Sequence, residues 1–282
     1  MRSSLASLTL LLGACSAAPA EPISPPASAP PSTSTGAAAP PPSVATAAAP
    51  TASASAAPTA SAVASTPPAS PCPAGMALVP GGAYTMSPPR REVTVAPFCM
   101  DVSETTADEY ATCVKGGKCS ADNLKCAAQA TYQAPGLGNH PVVCVDFEQA
   151  VTYCGAQSKR LASDEEWEWA ARGGSAGHAY PWGDDKPTGK ACWSGDTPLV
   201  GTCAVGATPA GDSPQGIHDL AGNVFEWTTS RIDKAGLDRV GRGGSWRDGT
   251  PEALKASRPG GFKVTYRCGF LGIRCVAAPA KP

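Results

Sequence analysis

The sequence predicts an α+β domain with few regular elements and long loops, preceded by a stretch that has nothing to bury. Three observations carry this reading. Short strand-like runs separated by turn residues open the domain, and three capped segments of helical periodicity follow. Past Arg172 the chain then carries 20 glycines over 173–277, which predicts irregular loops held by cross-links or bound ions.

The first 15 residues, "MRSSLASLTLLLGAC", place Arg2 before a short apolar run from Leu5 to Leu12. That run is too short to span a membrane and reads as an export signal. "LGAC" resembles a bacterial lipobox, which implies cleavage behind Ala14 and lipidation of Cys15; an ordinary secretory signal cut near Ala18 or Ala20 is the alternative. Over 16–71 the only charged residue is Glu21, and 14 of the 30 prolines fall there with no aromatic residue. Such a stretch cannot offset its own ordering entropy and reads as a tether of up to about 3.1 Å per residue. The expectation is an exported bacterial lipoprotein of the cell envelope, with a membrane anchor at Cys15, a folded domain over 72–277 and a tail at 278–282. A net charge of −1 gives no electrostatic case for a nucleic-acid partner.

Export changes how the cysteines read. Eleven lie between Cys72 and Cys275, and in an oxidising compartment most form disulfides. No CxxC pair occurs, and His140, His178 and His218 are scattered, so zinc is disfavoured. An odd number leaves at least one thiol free or paired outside the domain. Two bridges look local: Cys113–Cys119 around "VKGGK", and Cys192–Cys203 around "WSGDTPLVGT".

Within the domain, "MALVPGGAYTM" (76–86) reads as strand, turn, strand, and "REVTVAPFCM" (91–100) alternates as one further strand. Thr106 and Glu109 have capping-box spacing, and Gly116-Gly117 stops the helix they begin. In "DFEQAVTYCGAQS" the apolar positions Phe147, Ala150, Val151 and Cys154 fall on one helix face, which buries Cys154. A third helix opens at Ser163, with Glu166 three residues on and acidic residues in its first turn.

"DLAGNVFEW" (219–227) sets a Gly-Asn turn between an Asp and a Glu. Both turn residues tolerate positive φ. Read alone, the stretch is a solvated turn, a cation site or one wall of an active site. Eight blocks stand in order along the chain: "ALVPGGAYTM", "DVSETTADEY", "HPVVCVDFEQAVTYC", "KRLASDEEWEWAARGG", "YPWGDD", "GIHDLAGNVFEW", "RVGRGGSW" and "GIRC". Together they resemble the formylglycine-generating enzyme, or sulfatase-modifying factor, family over about 72–277. The resemblance implies a loop-rich variant of the C-type lectin fold. It also implies a Cys154–Cys275 disulfide and a structural Ca2+ held by side-chain oxygens of Asp219 and Glu226 and carbonyls of Gly222 and Val224. Calcium takes six to eight oxygens, which such a turn suits; a Glu226 that holds its loop by hydrogen bonds without metal is the alternative. At a second family calcium site Ala191 replaces an Asn, and that site is not expected.

The family oxidises a substrate cysteine to formylglycine with oxygen and copper(I) bound by two thiolates, soft ligands that this ion prefers. Here Asp248 and Ala253 stand where those cysteines fall, Ser245 remains, and Phe225 replaces a family Trp. No copper is therefore expected. The related sulfoxide synthases bind iron through three histidines, mainly on a separate helical domain that this sequence lacks, so no iron is expected either. A Ser245/His218/Asp219 hydrolase has no supporting motif. The favoured expectation is a non-catalytic binding or scaffold module; the alternative is an oxidoreductase of the family with altered metal chemistry. Arg242, Ser245, Trp246, Arg247, Asp248 and Phe225 are the cleft candidates for a protein, peptide or glycan ligand. Trp and Arg are common interface anchors, although Trp246 in the core and solvated or paired arginines fit the same residues.

Overall fold

The computed structural model describes residues 70–86, 90–232, 236 and 238–281. The export signal, Cys15 and all but the last two residues of the tether lie outside the described residues. Among the described residues the architecture is α+β, with three small sheets and three short helices. One antiparallel sheet runs in the order β1 (Met76–Val79), β4 (Phe98–Asp101), β10 (Cys275–Ala277), β5 (Arg160–Leu161), so the two ends of the domain share it. A hairpin joins β2 (Gly82–Met86) to β3 (Arg91–Val95). The third sheet runs β8 (Gly260–Lys263), β7 (Asp238–Arg242), β6 (Phe225–Arg231), β9 (Leu271–Gly272), with β6 and β9 parallel.

The single strand expected over 91–100 is two strands in two sheets. Pro97 has no N–H to donate to a ladder, so pairing stops at Val95 and resumes at Phe98. Likewise 76–86 breaks at Pro80-Gly81, and β1 pairs with β4 while β2 pairs with β3.

Two helices start at the caps expected from the sequence, Thr106 and Ser163, and Asp146 adds a third cap that the sequence reading did not name. Thr106, Asp146 and Ser163 cap α1 (Ala107–Lys115), α2 (Phe147–Ala156) and α3 (Asp164–Ala171), each in a complete capping box. One face differs from expectation. Val151 is exposed, and Tyr153 takes the buried place beside Ala150 and Cys154. Its ring stacks on Tyr110 of α1 at 5.5 Å, so contact between the two helices sets the face.

Trp167 and Trp169 of α3 pack with Phe98, Met100 and Tyr84 in one core. A second core gathers Tyr110, Tyr153, Trp227, Leu271 and Ile273. Five disulfides brace the loops. The three expected bridges, Cys113–Cys119, Cys192–Cys203 and Cys154–Cys275, are present, with Cys72–Cys99 and Cys126–Cys144 beside them. Cys268 is buried outside these five.

Candidate functional site

The Gly-Asn turn is a buried hub. Asp219, Gly222 and Asn223 have φ of 57°, 90° and 52°. A Cβ on Gly222 would stand 2.6 Å from the Cys192 carbonyl oxygen, so the approach requires glycine. The Asn223 N–H donates to that same carbonyl at 2.8 Å, and its Oδ1 accepts from the Cys203 N–H at 3.0 Å. Its Nδ2 donates to Glu104 Oε2 at 3.1 Å. One asparagine thus ties the Cys192–Cys203 loop to the segment ahead of α1.

The four positions that the resemblance assigns to calcium do not fit that ion as arranged here. Glu226 is buried and already has a cation. Its Oε1 accepts from Arg274 Nε at 2.9 Å and lies 2.7 Å from Nη2. Its Oε2 accepts from Trp167 Nε1 at 2.6 Å. Asp219 Oδ2 accepts from the Gly206 N–H at 2.6 Å. Among the described residues, no three His, Cys, Asp or Glu side chains gather as metal ligands. In this arrangement Glu226 serves as the counter-ion of a buried arginine. Ala191 packs in an apolar cluster with Tyr180, Trp193 and Leu254.

Arg274 is fixed on three sides. Besides Glu226, Nη1 donates to the Asp101 carbonyl at 3.0 Å and Nη2 to the His218 carbonyl at 2.8 Å. Burial works against its charge, but Glu226, then Glu104 and Asp219, outweigh that and hold its pKa above the usual value. Burial raises the Asp219 pKa. It raises Glu104 well above the usual carboxylate range, with the charges of Asp219 and Glu226 adding to the effect. Glu104 Oε1 has no hydrogen-bond partner.

The cleft candidates divide. Arg242 is 1% exposed. Its Nε pairs with Asp164, its Nη2 lies 3.0 Å from Glu168 Oε2, and its Nη1 donates to the Ala256 carbonyl. It braces α3 against β7 and offers nothing to a ligand. Trp246 is also buried, with Nε1 donating to the Gly269 carbonyl at 2.8 Å. Both residues leave the candidate surface. Ser245 is buried too, and its N–H and hydroxyl donate to Asp248 Oδ2 at 2.8 and 3.0 Å. Arg247 is exposed, its guanidinium 4.7 Å from the Phe270 ring centroid. Half-buried Phe225 meets Phe262 edge-on. Arg247, Asp248 and Phe225 are the candidates with surface left to present.

At the positions matching the copper cysteines, Asp248 caps its own turn and Ala253 is buried in the 3-10 turn Pro251–Leu254. Neither supplies sulfur, and ten of the eleven domain cysteines are in disulfides. The histidines point to different neighbours. His140 Nδ1 bonds Thr202, His178 Nδ1 lies 3.6 Å from Asp184, and His218 Nδ1 bonds Asp212. With Ser245 on Asp248 and Asp219 on Gly206, no Ser/His/Asp relay forms.

Sequence reasoning missed Arg274, Glu104 and Glu168. Each left a faint signal: Arg274 interrupts the apolar run "LGIRCV", and Glu168 sits between two tryptophans. Glu104 in "SETT" left none, because a Glu beside hydroxyl residues looks like solvent-facing loop.

A family model described as "Sulfatase-modifying factor enzyme 1-like domain" matches residues 61–279. Among characterised proteins, the chain is 32% identical over 273 residues to "Inactive C-alpha-formylglycine-generating enzyme 2" of Bos taurus, covering 73% of this chain and 89% of that one. It is 33% identical over 167 residues to the formylglycine-generating enzyme of Streptomyces coelicolor, covering 50% and 53%. Among solved structures, PvdO from Pseudomonas aeruginosa superposes with a TM-score of 0.60 at 24% identity, covering 72% of this chain and 94% of that one. CarF superposes at 0.59 and 20%, covering 74% and 99%. At such identities these two bear on fold alone, and they agree with the loop-rich architecture.

Proposed function

The chain belongs to the sulfatase-modifying factor family, and from that premise we propose that it is a non-catalytic binding or scaffold module, held on a bacterial envelope membrane through a lipid on Cys15. One observation carries the reading: Asp248 and Ala253 stand where the family's chemistry needs two thiolates, and disulfides occupy ten of the eleven domain cysteines. Copper(I) favours soft sulfur donors, and a lone carboxylate is a poor substitute. The 32% identity to a protein named as inactive supports the same conclusion. Disulfide-braced frames that display long loops suit recognition, and the exposed part of the 245–270 loops is the surface put forward here. Arg247, Asp248 and Phe225 are its named contacts, for a protein, peptide or glycan ligand. The charge-poor segment ahead of the domain supplies the reach from the membrane.

Metal analysis of the purified chain, run with a cysteine-peptide oxidation assay, tests the catalytic half. No stoichiometric copper or iron and no formylglycine product is the expected result; one equivalent of either metal with turnover overturns it. For the anchor, mass analysis of the mature N-terminus should find acylated Cys15, and Cys15→Ala should move the protein from the membrane to the soluble fraction. An unmodified terminus beyond residue 15 in membrane-bound protein would sink that half.

A further inference from the structure

Arg242, Arg267 and Arg274 each face a carboxylate. Arg239 on β7 faces none among the described residues. Its guanidinium carbon lies 4.6 Å from the centroid of the Phe147 ring. Nε and Nη1 are buried without an acceptor, while the residue as a whole is half-buried, so Nη2 is the nitrogen that reaches solvent. Directly opposite on β6 stands Arg231, exposed and on the same face of the sheet. Like charges so placed repel, and burial together with Arg231 lowers the Arg239 pKa. A guanidinium keeps its charge in a protein, so this face holds two cations with no counter-ion among the described residues. The register partner of Arg239 on β8 is Phe262, whose ring meets Phe225 at 5.2 Å and stacks on Tyr266 at 5.9 Å. All three rings are half-buried, and Phe225 belongs to the surface put forward above.

We propose that this face of the third sheet docks an acidic peptide segment of a partner protein. One Asp or Glu carboxylate bridges Arg231 and Arg239, and a neighbouring apolar side chain rests on Phe262 and Phe225. The inference rests on the reading of the domain as a binding module and names the chemistry of its ligand. Charge selects an anion: residues 225–270 carry nine Lys and Arg against five Asp and Glu, in a chain of net charge −1. Opposite residues of an antiparallel pair have Cβ atoms about 4.5–5.5 Å apart, a span that one carboxylate bridges. One of its oxygens accepts from Arg239 Nη2 and the other from the exposed guanidinium of Arg231. The adjoining rings select a peptide over a bare anion, because a phosphate uses the arginines and leaves Phe262 and Phe225 without a contact. An uncharged glycan would leave both cations without a counter-charge.

Isothermal titration of the full chain tests the proposal with four probes. They are acetyl-Ala-Leu-Glu-Phe-Glu-Leu-Ala amide, a twin with Gln at both Glu positions, a twin with Ala at the Leu and Phe positions, and inorganic phosphate. The expected result is saturable binding of the acidic peptide, at least tenfold weaker for either twin and weakened by added salt. Arg231→Glu should abolish that binding and yet raise the urea midpoint, because a carboxylate there faces Arg239 and relieves the repulsion. Arg239→Gln should weaken binding at least tenfold; if that variant does not fold, Arg231→Glu decides, since its site is exposed. No saturable peptide binding, equal binding of either twin, or binding unchanged in Arg231→Glu overturns the proposal. So does loss of binding with a lower urea midpoint in Arg231→Glu, which marks a structural pair. Phosphate binding that Arg231→Glu removes, without peptide binding, overturns it in favour of a phosphate site. Failure here leaves the metal and oxidation results untouched, and copper with turnover would sink the non-catalytic reading whatever the peptide does.

Discussion

Glu226 on β6 and Arg242 on β7 stand opposite each other in register, yet each takes its partners elsewhere. Around Arg242 the charges balance: Asp164 and Glu168 face Arg242, and Arg172 Nη1 lies 2.8 Å from Glu168 Oε1. Around Arg274 they do not. Glu226, Glu104 and Asp219 are all buried near one guanidinium, and Glu104 Oε1 has no hydrogen-bond partner; Glu168 Oε2 in the first cluster lacks one too, yet has Arg242 Nη2 at 3.0 Å. The first cluster is a closed brace between α3 and β7. The second has a brace at its centre, Arg274 with Glu226, and surplus buried carboxyl groups beside it. The difference teaches that two equally buried carboxylate clusters can differ in how fully their polar atoms are matched.

The largest expected effect comes from Arg274→Met, which leaves three buried carboxylates without their cation. Removing one partner of a buried pair costs about 3–5 kcal/mol. Arg242→Met should cost less, because Arg172 stays on Glu168. Urea unfolding of both variants makes the comparison, and equal losses would erase the distinction between the clusters.

Replacing Cys154 and Cys275 together with Ala opens a bridge spanning 121 residues, next in sequence to Arg274. The loss should be about 2–5 kcal/mol, against less for Cys113–Cys119, which spans six. Urea midpoints under non-reducing conditions check this, and a larger loss from the short bridge would contradict it.

Glu104→Gln sharpens the comparison through pH. Because the folded chain holds the Glu104 proton above the pH at which the unfolded chain releases it, the folded state binds more protons in that window. Its contribution to stability is therefore present at low pH and fades as pH rises from the usual carboxylate range through the raised pKa. Melting temperature should fall with pH more steeply in the native chain than in Glu104→Gln, and the variant should be the more stable at neutral pH. Parallel curves would mean that Glu104 does not hold a proton in the fold.

The smallest effect is expected from a calcium chelator. With Glu226 on Arg274 and Trp167, its addition should leave the melting temperature unchanged. A clear drop that Glu226→Gln removes would return the turn to a cation role and recast the second cluster.

The sequence by itself determined the α+β class, the capped starts of two helices and three of the five disulfides found among the described residues. These were legible because caps, turn residues and family blocks act over a few residues of chain. It also sets Asp248 and Ala253 at the two positions where the resemblance puts thiolates, since a residue's identity is written at its own position. Tertiary structure decided the rest. Only the fold sets Glu226 against Arg274, 48 residues on. Only the fold withdraws Arg242 and Trp246 from a surface where their residue types would suit a ligand. It also turns Tyr153 inward in place of Val151, because α1 supplies a ring to stack on. Glu104 is the clearest case: it meets Asn223 across 119 residues of chain. A charge's partners and its loss of water depend on what the whole chain brings beside it, and local patterns carry no record of that.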